Sequence, residues 1–310
     1  MAKQQPERAA ILELRKQLAL LRDQFSLITQ VGLRNRVLAD LSQLQADLEE
    51  AYGKLDPIKL PGKSFDPLNP DTAGRMVALA LMAQAKTPLG RIAKTYGSGV
   101  YAIYYQGEHP AYRAITGSET PIYVGKADPS QPGASTSREQ GPQLYNRLVE
   151  HRKQIRIAGA YGVQNNLPHP LRVEDFTCRR LVCATNAQLS AERHLINVFK
   201  PVWNSDVKIC WGISKHGDSS KTRSNKRSPW DVIHPGRLWA LASELVDSSR
   251  PEEILAKLEG HFSNHPPFKD RAFIIEEFLR SFIQNAAVVD EQATEDDELL
   301  PDPSNADISS

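Results

Sequence analysis

The sequence predicts an α/β protein of the α+β kind, built on a small three-stranded antiparallel sheet flanked by helices. The strands are predicted from three short runs rich in aromatic and β-branched residues, at 100–106, 122–127 and 176–184. Two helical segments, 144–157 and 188–200, follow the second and third strands and carry apolar residues at helical spacing. Short strands alternating with amphipathic helices in this way are typical of a compact core with helices packed on a sheet.

A helical hairpin is predicted at the N-terminus, over residues 1–55. Between residues 8 and 28, apolar side chains recur at alternating steps of three and four, the a/d spacing of a coiled coil: Ile11, Leu14, Leu18, Leu21, Phe25 and Ile28. Gly32 interrupts this pattern, which resumes from Val37 to Leu48. The spacing leaves three partners open for the apolar seam, namely the hairpin itself, the main domain or a second subunit.

Four further segments are predicted after the hairpin. A linker rich in proline and glycine leads into a short helix that begins near Asp71 and Thr72. Helices are also predicted near 235–247 and 268–285, and the chain ends in an acidic stretch without apolar periodicity, which predicts disorder. In order, the segments are the linker and short helix (56–97), the sheet-containing core (98–206), a helical extension (207–285) and the acidic tail (286–310).

Charge is distributed unevenly along the 310 residues, although the formal net charge is only +1. Residues 290–310 contain eight acidic residues and no Lys or Arg, whereas residues 138–227 contain 16 Lys and Arg against 7 Asp and Glu. A basic segment of this kind suits nucleic acid, because Lys and Arg near phosphates release condensed counterions. The acidic tail is interpreted either as a solubilising end or as a DNA mimic that competes for the basic face.

Cysteine usage and hydropathy exclude several classes of protein. Three cysteines without a CxxC pair exclude a disulfide scaffold and argue against a structural zinc site. The longest apolar stretch, residues 76–86, is too short to cross a bilayer, and the chain opens with polar residues rather than a targeting signal. We therefore expect a protein of the reducing cytoplasm of a bacterial-type cell, without membrane association.

Six residues stand in an order and spacing that carry chemistry: Tyr101, Tyr123, Arg147, His151, Glu192 and Asn204. The tyrosines lie in the tripeptides GVY (99–101) and YVG (123–125), and Arg147 and His151 are four apart, on one helix face. This set resembles the GIY-YIG nuclease superfamily over about residues 99–206. The resemblance implies a sheet-and-helix nuclease core that hydrolyses phosphodiester bonds with one Mg²⁺ per active site, for which Mn²⁺ is a possible substitute.

The residue types fit that chemistry. A guanidinium is planar, permanently charged and donates hydrogen bonds in pairs, which suits Arg147 to phosphoryl oxygens. A single carboxylate can hold a Mg²⁺ ion that keeps most of its waters and also binds substrate phosphate, and Glu192 is the predicted ligand. Lys126, directly after the second tripeptide, adds a positive charge near the phosphate.

The remaining roles concern the attacking water. Tyr101 is the predicted base, with His151 accepting its phenolic hydrogen bond, and the sequence leaves open which of the two takes the proton. Tyr123 is expected to orient the water or the scissile phosphate. Asn204 is expected to fix the ligand geometry or a loop.

The flanking segments narrow the resemblance to a subgroup of type II restriction endonucleases. The matching stretches are FDPLNP (65–70), GVYAIYYQG (99–107), HGD (216–218) and RSPWDVIHPGR (227–237). The resemblance implies cleavage of double-stranded DNA within a short GC-rich palindrome, CCGCGG or similar, by a dimer or higher oligomer. It also implies a partner methyltransferase that protects host DNA. The alternatives are a structure-specific GIY-YIG nuclease for repair or a mobile element, and a DNA-binding protein without catalysis.

Basic residues that could contact DNA cluster after the core. Lys and Arg favour guanine O6 and N7 in the major groove, and the same side chains also bind backbone phosphates. The sequence does not decide between these two uses. The candidates, besides Lys126, are Lys215, His216, Lys221, Arg223, Lys226, Arg227 and Arg237.

Overall fold

The structure is a computed structural model that describes residues 6–55, 65–184, 187–214 and 226–286. The chain divides into two compact units, Met1–Gly62 and Lys63–Ser310. Within the described ranges, no helix combines the length and apolar character that a membrane span requires. The predicted acidic tail lies outside the described residues from residue 287 onward.

The first unit consists of two helices, α1 (Pro6–Phe25) and α2 (Val31–Leu55), where the heptad spacing predicts them. Neither helix has a buried residue. Five side chains of the predicted seam are partly covered: Phe25, Ile28, Val37, Leu41 and Leu44. Farther from the turn the seam is open, since Ile11 is 54% and Leu48 47% exposed.

The second unit is built around an antiparallel sheet that has four strands in the described part of the chain. Its strands are β1 (Thr87–Pro88), β2 (Gly99–Tyr105), β3 (Tyr123–Ala127) and β4 (Phe176–Val182), in the order β1–β4–β2–β3. The predicted antiparallel sheet flanked by helices is confirmed. The sheet differs from the prediction in the two-residue strand β1, which pairs with β4 and is too short to leave a pattern in the sequence.

Strand β2 is buried along its whole length because helices cover both faces of the sheet. Alternate side chains of a strand point to opposite faces. Tyr101 belongs to the core that contains α4 (Gln143–Gln164), whereas its neighbours in β2 belong to the core that contains α3 (Pro70–Ala83) and α5 (Gln188–Phe199). The sheet therefore separates α4 from α3 and α5, and β3, at the open edge, lies next to both α4 and α5.

The C-terminal extension adds one helix to each core. Ile254 and Leu258 of α7 (Pro251–Asn264) are buried with the α4 layer. Ile274 and Phe278 of α8 (Arg271–Ala286) are buried with α3 and α5. Helix α8 lies where a helix is predicted near 268–285.

The prediction of a helix near 235–247 is wrong. That stretch contains a 3-10 turn, Leu238–Leu241, and a short strand, β6 (Val246–Asp247), which pairs in parallel with β5 (Lys226–Arg227). Pro235 and Gly236 interrupt helix formation, since proline lacks an N–H donor and Gly236 has a φ of 137°. The helix before them, α6 (Pro229–Ile233), is correspondingly short.

Close packing of α3 on α5 depends on Gly74. A Cβ atom at this position would lie 2.7 Å from the carbonyl carbon of Ser190, which is backbone and cannot move aside like a flexible side chain. Gly74→Ala is therefore expected to lower the free energy of unfolding by about 1–3 kcal/mol, measured by urea denaturation.

Gly260→Ala in α7 is the matched control, because a Cβ atom there meets open space. Alanine is the better helix former, so this variant should be as stable as the wild type or up to about 1 kcal/mol more stable. Equal midpoints for the two variants would contradict the packing interpretation.

Candidate active site

Both tripeptide glycines are required by close backbone packing around the tyrosines. A Cβ atom on Gly99 would overlap the carbonyl oxygen of Leu181 in β4, and one on Gly125 would lie 2.5 Å from the hydroxyl oxygen of Tyr101. Gly125 faces Tyr101 across the β2–β3 ladder. The absence of a side chain at Gly125 thus leaves the space that the Tyr101 hydroxyl occupies.

A buried network of polar groups joins the two tyrosines to α4. The Tyr101 hydroxyl and Nε2 of His151 share a hydrogen bond 2.8 Å long, and the Tyr101 and Tyr123 hydroxyls share another. Tyr101 has no exposed surface and Tyr123 is 6% exposed. Burial raises the pKa of both phenols, that of Tyr101 to well above its ordinary value, so both are neutral at physiological pH.

Arg147 lies one helical turn before His151 and also contacts this network. Its guanidinium donates a hydrogen bond to Tyr101 and is half-buried. The Nε atom is buried, and no described atom accepts a hydrogen bond from it. A permanently charged guanidinium that lines a polar pocket is arranged to bind an anion.

Asn204 and Glu192 occupy the open edge of β3. The Asn204 side chain accepts a hydrogen bond from the Val124 N–H (2.9 Å) and donates one to the Val124 carbonyl (2.8 Å). The Glu192 carboxylate accepts a hydrogen bond from the N–H of Lys126, two residues along the same edge. Asn204 thus fixes the strand β3 next to Tyr123.

The six sequence-predicted residues converge on two adjoining pockets that share Glu192. The first pocket, of about 370 Å³, is lined by Tyr123, Glu192 and Asn204, and the second, of about 400 Å³, by Lys126, Arg147 and Glu192. Tyr101 and His151 lie behind the pocket walls, in contact with Tyr123 and Arg147. Lys126 is paired with Asp128 at the pocket mouth.

Glu192 is a residue that could hold a cation. Burial raises the pKa of its carboxyl group to about 7, and the negative charges of Asp128 and Asp206 add to that rise. The charge and the backbone N–H of Lys126 oppose the rise only in part. Among the described residues no cluster of three metal-ligating side chains exists. A single desolvated carboxylate in a polar pocket fits a hard cation that keeps most of its waters, such as Mg²⁺.

Sequence reasoning missed several residues that line the two pockets, and three of them bear on the site. Ser214 lines the first pocket and hydrogen-bonds to Tyr123, Asp206 lines the same pocket, and Gln143 lines the second. Gln143 opens α4 one turn before Arg147, so its helix position was a usable signal. Ser214 and Asp206 lie in irregular segments, where no periodicity reports which way a side chain points.

The residues predicted to contact DNA differ in how exposed they are. Lys226 is exposed, whereas Arg227 pairs with Asp247 at 2.9 Å and donates to the carbonyls of Ala240 and Ala242. Arg237 is only 3% exposed, so in this structure it is a core residue rather than a surface residue that reaches DNA. The other four candidates, Lys215, His216, Lys221 and Arg223, lie outside the described residues, as does the HGD stretch.

A protein-family model matches the central part of the chain. The family model of the Eco29kI GIY-YIG domain matches residues 93–262, which include the six predicted site residues and β2 to β6. No curated protein gives a significant match to the chain.

Glu192→Gln tests the cost of burying this carboxylate without a cation. The pKa of Glu192 is raised from 4.5 to about 7 on folding, so the carboxyl group's contribution to stability is complete below pH 4.5 and is lost as the pH rises through 7. Without divalent cations, the variant should be more stable than the wild type at pH 8, by on the order of 2 kcal/mol, with a difference that shrinks towards pH 5. Chemical denaturation in EDTA at both pH values measures this, and exposed Glu259→Gln should show no such trend.

Proposed function

Because the chain belongs to the Eco29kI GIY-YIG domain family, a family of restriction endonucleases, we propose that it is a Mg²⁺-dependent type II enzyme that cuts double-stranded DNA at a short GC-rich palindrome. The observation that carries this proposal is the half-buried Arg147, whose guanidinium contacts the neutral tyrosine pair and lines the same pocket as Glu192. These are the groups that phosphodiester hydrolysis needs around one phosphate.

Arg147 binds the scissile phosphate in this mechanism. Its guanidinium opposes the charge that builds up on the phosphoryl oxygens as water attacks, and desolvation in the pocket strengthens that attraction. Lys126 supplies a second positive charge at the mouth of the same pocket. The α4 backbone and the hydrogen bond to Tyr101 hold the guanidinium in place before substrate arrives.

The tyrosine–histidine network removes the proton of the attacking water. Tyr123 forms its pocket end and Tyr101 links Tyr123 to Nε2 of His151. Neither phenol is ionised at neutral pH, so each passes on a proton as it accepts one, and the imidazole of His151 is the final acceptor.

Glu192 would hold the cation, with Mn²⁺ as an alternative to Mg²⁺. When bound, the ion supplies charge neutralisation at the phosphate and at the leaving oxygen. The carboxylate must be ionised to bind it, so the raised pKa of Glu192 links metal affinity to pH. Asn204 keeps the edge of β3 in register beside this ligand.

Cutting both strands of a palindrome calls for two active sites related by two-fold symmetry. We therefore propose a homodimer or higher oligomer, with the open seam of α1 and α2 as a candidate contact. A separate methyltransferase would protect host DNA at the same site.

The purified protein should produce discrete fragments from unmethylated phage DNA in Mg²⁺ and none in EDTA. Sequencing the fragment ends gives the palindrome and the overhang together. Arg147→Ala should lower the rate at least about 10³-fold, since it removes the charge that stabilises the transition state. Arg156→Ala, an exposed arginine on the same helix, is the matched control and should cut normally.

Full activity of Glu192→Gln in Mg²⁺ would refute the metal-site assignment. Discrete cutting of branched DNA alone, with every linear duplex left intact, would replace the restriction enzyme by a structure-specific nuclease. Binding without any cutting would leave only the non-catalytic alternative.

The Mg²⁺ requirement should depend on pH because protons compete with the cation for Glu192. With a carboxyl pKa of about 7, the ionised fraction falls about tenfold between pH 8 and pH 6, so the half-saturating Mg²⁺ concentration should rise about tenfold. Initial cutting rates over a Mg²⁺ series at each pH measure this. A constant half-saturating concentration would contradict it.

A further inference from the structure

In the described part of the chain, Ser214 lies in an irregular segment and its side chain reaches the tyrosine network. It lines the first pocket and its hydroxyl donates a hydrogen bond to the hydroxyl of Tyr123. Tyr123 is therefore held from two sides, by Tyr101 from within the core and by Ser214 from the pocket wall.

The backbone before Ser214 is fixed by Arg237. The Arg237 guanidinium donates to the carbonyl of Gly212 (Nη2, 2.9 Å) and to that of Ile213 (Nη1, 3.2 Å), the two residues that precede Ser214. Ile213 is also buried in the core. Two restrained carbonyls and one core side chain hold the backbone that leads into Ser214.

Arg237 is itself held by a buried partner. Asp231 accepts from its Nε (2.6 Å) and Nη2 (2.7 Å), and the indole rings of Trp230 and Trp239 lie 4.9 and 5.0 Å from its guanidinium carbon. A bidentate pair between groups that are 3% and 1% exposed fixes orientation as well as charge.

Gly212 completes the arrangement. Its φ is 127°, a conformation that favours glycine, and a Cβ atom there would overlap the side chain of Ser228. The hydroxyl of Ser228 in turn donates to Asp231, so the residues of the 227–237 stretch surround the 212–214 backbone.

We infer that Ser214 is a positioning residue of the proposed hydrolysis, which orients the Tyr123 hydroxyl in the pocket, and that the Arg237–Asp231 pair sets the position of Ser214. The inference rests on the proposed nuclease function. It assigns Arg237 an indirect role in the reaction, through the protein interior, in place of a contact with DNA. Ser214 acts through Tyr123 and is not required to touch the substrate.

Ser214→Ala tests the first step. Loss of one orienting hydrogen bond should lower kcat for DNA cutting about tenfold, leave KM within about twofold and leave the thermal unfolding midpoint unchanged. Ser214→Thr keeps the hydroxyl and should restore kcat to within about threefold of the wild type. Ser263→Ala is the matched control, because Ser263 is exposed on α7 and its hydroxyl donates to the Glu259 carbonyl rather than to Tyr123.

A double-mutant cycle tests the second step. Arg237→Lys keeps the charge but loses the forked contacts, and it should lower kcat in the wild-type background. In the Ser214→Ala background it should lower kcat little further, since both changes act through the same hydroxyl. If Arg237→Lys fails to fold, the Ser214 variants alone decide the inference.

An unchanged kcat for Ser214→Ala in an enzyme that cuts DNA would overturn the inference and leave the proposed function standing. A rise in KM with unchanged kcat would also overturn it, because that pattern indicates a DNA contact. Failure of Ser214→Thr to restore kcat would do the same. A wild type that cuts no DNA would remove the proposed function, and the inference with it.

Discussion

The site depends on the unpaired edge of β3. An edge strand presents N–H and C=O groups that must find partners outside the sheet, and here Asn204 pairs with Val124 while Glu192 accepts from the N–H of Lys126. Because β3 borders both helical layers, this edge is where the arginine of α4 meets the carboxylate of α5. The hydrogen-bonding requirement of one short strand thus brings together groups from opposite faces of the sheet.

Much of the core could be predicted from sequence because its signals are local. The aromatic and β-branched runs predicted β2, β3 and β4, and the four-residue step from Arg147 to His151 predicted a shared helix face. The tripeptide glycines also have a physical reason, since Gly125 leaves room for the Tyr101 hydroxyl. Such constraints act over a few residues or across one ladder, so composition and spacing record them.

The rest could not be predicted because it depends on long-range packing. The sequence predicts a surface position for Arg237, because it follows a basic stretch. Only its burial against Asp231 shows that it belongs to the core. Ser214 carries no pattern at all. Helix α7 is a different case, since Pro251 at its first position and the acidic residues of its first turn, Glu252 and Glu253, were signals in the sequence.

The two arginine pairs that flank residues 215–225 have a consequence for sequence change. Arg237 fixes the backbone up to Ser214, and Arg227 fixes the chain again through Asp247 and the carbonyls of Ala240 and Ala242. Lysine has no forked donor and cannot make these contacts together. Replacing either arginine by lysine would therefore loosen the described backbone on its own side of the stretch.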